Sequence, residues 1–262
     1  MVARLWYGLS VALCVFDLDH TLIQTPLDLA AMAVDMRALI EAASGPLPAR
    51  HERYRVGELI TYCRSQAPAL ESALWDLALD HERRAMEVAT LESGALAALG
   101  GARRAGFATA LWTNNARVLT LPALERLGLA GDLDLVVTRD DMRALKPDPD
   151  GWRVISEHFN GRLAGGTGSA PTAPHFNGRL AGGTGSAPTA PHFSGRLAGG
   201  IPAVVVGDSW VDGVAAAAAG VPFIAYRARQ ADLDRWKVTP IAQLADLALL
   251  PAWLEARGNG RP

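Results

Sequence analysis

Lysine is nearly missing from this chain. Of 25 basic residues in 262, only Lys146 and Lys237 are lysines, so arginine is the default cation. Cysteine is equally scarce. Cys14 and Cys63 lack the spacing of a metal site or a disulfide framework, which favours a reducing compartment. Neither sign of charge dominates: a formal charge of −2 leaves no electrostatic footprint for a nucleic acid polymer. No apolar run is long enough to span a bilayer, so no membrane partner is expected. The stretch Leu5–Phe16 after Arg4 has the look of a short signal peptide, but it ends on Asp17 with no small-residue cleavage site. The expected location is the cytoplasm. What the chain does have is apolar content: half its residues are hydrophobic, enough for one core domain and a small accessory domain.

Val11–Leu22 is the most informative run. It is apolar on both faces and β-rich, then stops on Asp17 and Asp19. Such a strand belongs in the middle of a parallel sheet, and two carboxylates fit only at its C-terminal end, where open α/β sheets bind ligands. Two anions side by side repel unless a cation lies between them, and oxygen-only ligands favour Mg²⁺. The pair alone could equally be an Asx turn. Three further polar signals follow strand-like runs: Thr113-Asn114 after Phe107–Trp112, Lys146-Pro147 beyond Leu133–Thr138, and Gly207–Asp212 after Ala203–Val206.

Phe16–Leu22, Thr113-Asn114, Lys146-Pro147 and Gly207–Asp212 match in order the four motifs of the haloacid dehalogenase superfamily. The chain resembles the phosphoglycolate-phosphatase-like branch of that family. The resemblance implies an α/β fold: a Rossmann-like three-layer α/β/α core with a parallel sheet, plus a small α-helical cap domain. It also implies a Mg²⁺-dependent phosphatase acting on a small phosphorylated metabolite. Asp17 would be the nucleophile, forming an aspartyl-phosphate and splitting one hard displacement into two. Asp19 would protonate the leaving alkoxide and then deprotonate water. Thr113, Asn114 and Lys146 would bind the phosphoryl group, the lysine meeting the charge that accumulates during transfer. Asp17, Asp19, Asp208 and Asp212 would hold the metal. In a chain that otherwise uses arginine, a lysine here supplies a compact point charge.

Asp19 argues against dehalogenation, because dehalogenases of the family lack that second aspartate. The phosphonate hydrolases use a cap lysine, and residues 24–92 contain none. A sugar phosphomutase shares every core motif and stays open, as does a non-catalytic binding protein that keeps the fold. His20 stands where the family most often has glycine, and it is read as packing or solvated. Trp210 either lines a pocket or packs.

The core is expected to comprise residues 1–23 and 93–262, with residues 24–92 as the cap. Helices are predicted over Leu27–Ala43 and Leu70–Val88, separated by Gly45-Pro46-Leu47-Pro48. His51, Arg53, Tyr54 and Arg55 read as a solvated helix start, the alternative being a grip on a substrate anion. Beyond Ser93, β–α alternation puts helices on both faces of the sheet and all four motifs at one edge. Residues 158–200 form a low-complexity insert. His158–Pro174 and His175–Pro191 are identical, and a truncated third copy starts at His192. The unit lacks an apolar face, so it reads as a flexible linker placed away from the chemistry. Zinc binding by His158, His175 and His192 would carry a large ordering cost. The sequence sets no oligomeric state.

Overall fold

The computed structural model describes residues 12–163 and 203–258. Its central strand is β1 (Leu13–Phe16), buried at every position. Side chains alternate across a strand, and here both sets are apolar. Cys14 and Phe16 enter one core cluster, while Leu13 and Val15 enter the other. On one side of β1 lies β4 (Ala108–Trp112), and beyond it β5 (Leu135–Val137). On the other side follow β6 (Ala203–Gly207), β7 (Phe223–Tyr226) and β8 (Ala242–Leu244). All five pairings are parallel.

Helices cover both faces. α4 (Ala95–Arg104), α5 (Arg117–Arg126) and α9 (Leu250–Gly258) pack into the cluster with Phe16, through Leu99, Leu124 and Leu254. α6 (Asp150–Leu163), α7 (Trp210–Ala218) and α8 (Gln230–Arg235) close the opposite face, through Trp152, Ala215 and Leu233. The chain is therefore a Rossmann-like three-layer α/β/α fold, as its sequence pattern implies.

Between β1 and α4 the chain leaves the sheet. β2 (Ile23–Gln24) and β3 (Thr90–Leu91) form a two-stranded antiparallel neck. Three helices lie between them: α1 (Leu29–Ser44), α2 (Val56–Gln66) and α3 (Glu71–Glu87). They bury a cluster of their own around Met32, Met36, Ile40, Leu59, Cys63 and Leu74. Asp28 caps α1, accepting from the amides of Ala30 and Ala31 at 2.9 Å. The neck is tied to the core by Glu92, which accepts from Tyr226 Oη at 2.8 Å, Arg227 Nη1 at 3.0 Å and the Gln24 side-chain amide.

The predicted helices over Leu27–Ala43 and Leu70–Val88 match α1 and α3 to within two residues at each end. His51–Arg55, expected as a solvated helix start, leads into α2 with Arg55 at its N-cap, and the buried residues of α2 are Leu59, Ile60 and Cys63. The strand expected over Leu133–Thr138 is shorter, and the helix expected over Asp148–Phe159 starts two residues later and continues to Leu163. That continuation takes in His158–Leu163, the start of the first repeat copy. The rest of the repeat insert lies outside the described residues.

Candidate active site

The sheet delivers its polar residues at the carboxyl ends of three adjacent strands. Asp17 follows β1, its amide still bonded to Val206 O at 2.9 Å. Thr113 follows β4, its amide bonded to Val137 O at 3.0 Å. Asp208 follows β6. Asp212 sits in the first turn of α7, where its Oδ2 accepts from the Ser209 hydroxyl at 2.6 Å and the Ser209 amide at 3.2 Å, closing a capping box.

Lys146 arrives from the segment between β5 and α6, and Asn114 fixes it there. The Asn114 side chain donates to Lys146 O at 3.0 Å and accepts from Lys146 N at 2.9 Å. Lys146 is only 7% exposed, and its ammonium reaches Asp17 Oδ1 at 2.6 Å, Asp212 Oδ1 at 2.6 Å and Trp112 O at 2.8 Å. Three acceptors match its three protons. Burial alone would lower its proton affinity, but the two carboxylates outweigh that and raise it, so it stays charged.

The carboxylates outnumber their cation. Asp17, Asp208 and Asp212 bring ligand atoms within 4.8 Å of one another. Burial, then Asp212, pushes Asp17 up to about 7 against the pull of Lys146. Burial, then Asp212 and Asp17, pushes Asp208 up to about 9. Such a group resists ionisation until a cation enters, and an all-oxygen donor set suits Mg²⁺. Within the trio, Asp212 already has one oxygen on Lys146 and the other on Ser209. Asp17 and Asp208 are thus the carboxylates best placed to hold a divalent ion.

Asp19, also expected at the metal, lies outside the group formed by Asp17, Asp208 and Asp212. Its Oδ1 accepts from Thr25 Oγ1 at 2.7 Å and its Oδ2 from Asn115 Nδ2 at 2.5 Å. Both its oxygens are thereby engaged, while its charge still adds to the repulsion felt by Asp17 and Asp208. Asn115 was not singled out by the sequence, although it neighbours Thr113-Asn114. Thr113 is buried, and its hydroxyl oxygen accepts the Asn115 amide at 3.2 Å. The Asn114 side chain is committed to the Lys146 backbone, which leaves its amide N–H as the group to offer an anion. Lys237, the other lysine, is exposed. His20 is exposed with φ 56°, the left-handed region where glycine is at ease, so its backbone accounts for the family preference.

Contacts on two flanks join the helical segment to this edge. Arg55, the residue preceding α2, lies over Trp210 at 5.2 Å and Trp236 at 4.9 Å, and those indoles stack at 4.0 Å. Nearby, Arg235 pairs with Glu52 at 2.6 Å. On the other flank, Glu82 of α3 pairs with Arg139. Trp210 is therefore packed on Trp236 and also faces a cation from the helical segment.

The haloacid dehalogenase-like hydrolase family matches residues 11–166, more than half of the chain. No curated protein matches the sequence. Solved structures share the fold. A predicted phosphoglycolate phosphatase of Haemophilus somnus is 14% identical with a TM-score of 0.55, over 94% of this chain and 98% of that one. A β-phosphoglucomutase candidate from Thermotoga maritima is 18% identical with a TM-score of 0.52, over 94% and 99%. A HAD hydrolase of Bacillus subtilis, bound to magnesium, is 15% identical with a TM-score of 0.51, over 93% and 98%. With the family matched over residues 11–166, which carry Asp17, Asp19, Thr113 and Lys146, the chain belongs to the haloacid dehalogenase-like hydrolases.

Proposed function

We propose that this hydrolase is a Mg²⁺-dependent phosphatase that cleaves a small phosphomonoester through an aspartyl-phosphate on Asp17. The observation that carries the reading is the buried Lys146 ammonium clasped between Asp17 and Asp212, with Asp208 alongside. Mg²⁺, held by Asp17 and Asp208, would supply charge neutralisation for nucleophile and phosphate together. Lys146 orients Asp17 through one oxygen and leaves the other to attack phosphorus. As the bond to the leaving oxygen breaks, Asp19 gives that oxygen a proton. Water then attacks the aspartyl-phosphate while Asp19 takes a proton back, which restores Asp17 and frees phosphate. Thr113 and the Asn114 amide would hold the phosphoryl oxygens.

Residues 24–92 act as the cap in this reading. They bring Arg55 and α3 to the site edge, where selectivity among small phosphorylated metabolites would arise. The magnesium-bound Bacillus subtilis neighbour shows interdomain movement, and the short neck of β2 and β3 is where the same motion would pivot here. Cys14 and Cys63 are free and buried, which supports a reducing, cytoplasmic setting. No helix among the described residues is long and apolar enough to cross a membrane.

The test is phosphate release from a panel of metabolite phosphates, with and without EDTA. Mg²⁺-dependent release supports the reading. Interconversion of hexose phosphate isomers without release would make the chain a phosphomutase, and inactivity toward every phosphate would leave the fold as a binding module.

A further inference from the structure

Glu82 belongs to no motif, yet it is a carboxylate 5% exposed at the inner end of α3. An ion so buried needs every lone pair engaged. Its Oε1 is ion-paired with the Arg139 guanidinium, and its Oε2 accepts from the Ala116 amide at 3.2 Å. The Arg139 amide in turn donates to Asn115 O at 3.1 Å. The Asn115–Ala116 peptide is thus gripped on both sides, once by Arg139 and once by Glu82. From that turn the Asn115 side chain donates to Asp19 Oδ2 at 2.5 Å. Each step is a direct contact, and the path runs from the helical segment to the carboxylate assigned as acid and base.

We propose that Glu82 is a positioning residue: by holding the Ala116 amide it sets Asn115, and through Asn115 it aims Asp19, while α3 is docked on the core. This rests on the phosphatase reading given above. Both Glu82 oxygens are taken by Arg139 and the Ala116 amide, so its role is positional. It links the seating of the helical segment to proton transfer, so the acid is aimed only when α3 is in place. Thr25 Oγ1 holds the other oxygen of Asp19 at 2.7 Å, so losing Asn115 would free one oxygen and leave the carboxylate to pivot on the other.

The test compares two double variants, Glu82→Leu/Arg139→Met and Glu82→Gln/Arg139→Met. Both remove the buried ion pair, and only the glutamine keeps an acceptor for the Ala116 amide. Two readouts are taken: crystal structures of both variants, and kcat and KM on p-nitrophenyl phosphate and on glycerol phosphate. In the leucine variant Asn115 should leave Asp19. Its kcat on glycerol phosphate, whose poor leaving group needs the acid, should fall on the order of 100-fold, the scale of an ångström-level misplacement. The loss on the aryl ester should be much smaller, with KM little changed. The glutamine variant should keep the Asn115–Asp19 contact and recover most of the alkyl ester rate. Equal losses on both esters, or an intact Asn115–Asp19 contact in the leucine variant, would overturn the proposal. If the parent protein hydrolyses no member of the metabolite panel, the phosphatase reading fails, and the two crystal structures still decide whether Glu82 places Asp19. Should the leucine variant not fold, Glu82→Asp keeps the charge but falls one methylene short of the amide, and it is read in the same two ways.

Discussion

Lys146 and the carboxylates around it hold opposing charges where water barely reaches, so each substitution there acts on chemistry and stability together. Asp17→Asn should abolish turnover, because the amide is nearly isosteric but a poor nucleophile. It also removes one charge from a repelling group, so the melting temperature should hold or rise. Residual activity within tenfold of the parent on purified protein with Mg²⁺ would sink the nucleophile assignment. pH gives an independent check. In the folded chain Asp17 is pushed up to about 7 and Asp208 up to about 9, from an ordinary 3.8. Both groups release protons on unfolding, so this part of the stability is fully present below about pH 4. It should be lost as pH rises through 7 and then 9. Mg²⁺ binds the ionised carboxylates and reverses that loss. Differential scanning fluorimetry should therefore show a larger Mg²⁺-induced rise in melting temperature at pH 8 than at pH 5. Equal rises at the two pH values would count against a metal site on Asp17 and Asp208. The titratable site residues were legible because their spacing follows strand ends. Asn115 and Glu82 were not: Asn115 contacts Asp19 across 96 residues, and nothing in an amide's own neighbourhood announces such a partner.

Elements were legible where one period dominated. β1, β4, β6 and β7 are buried throughout and apolar but for Thr109 and the Tyr226 hydroxyl, and α4 and α5 end at left-handed Gly106 and Gly128. α2 escaped because only three of its residues are buried. The strand–helix tail of α8, β8 and α9 escaped because each piece is short and its burial comes from neighbours distant in sequence. One element carries a steric condition that the sequence hides. Gly151, in the first turn of α6, abuts the Trp112 indole: a Cβ there would lie 2.0 Å from Nε1 and 2.6 Å from Met142 Sδ. Gly151→Ala should destabilise the fold by about 1–3 kcal/mol, the usual cost of overpacking, despite alanine's better helix propensity. Urea denaturation measures it, and an unchanged midpoint would show that α6 shifts freely away from β4.

Over the whole chain, the repeat is a natural experiment in loop length. α6 runs to Leu163, so the first copy's His158–Leu163 is helix. The third copy offers the same residues as His192–Leu197, with Ser194 for Asn160. Deleting His158–Pro191 therefore rejoins α6 to a near-identical ending. Because loop closure costs only about 0.6 kcal/mol per doubling of length, turnover should stay within a few-fold of the parent and stability should hold or rise slightly. A deletion variant that folds without activity would place the insert at the chemistry after all.

The order of the sheet also governs how the chain must be made. Leu13, near the start, pairs with Ala108 on one side and with Ala203 on the other. Until β6 leaves the ribosome, β1 has one bare backbone edge and is an open template for a second chain. Asp17 cannot be seated either, since its amide bonds Val206. A nascent chain released after residue 202 should aggregate in a sedimentation assay, while the full chain, with β6, β7 and β8 in place, should remain in the supernatant. Translation speed across the Gly- and Pro-rich repeat, which lies just before β6, thus sets how long that edge stays open.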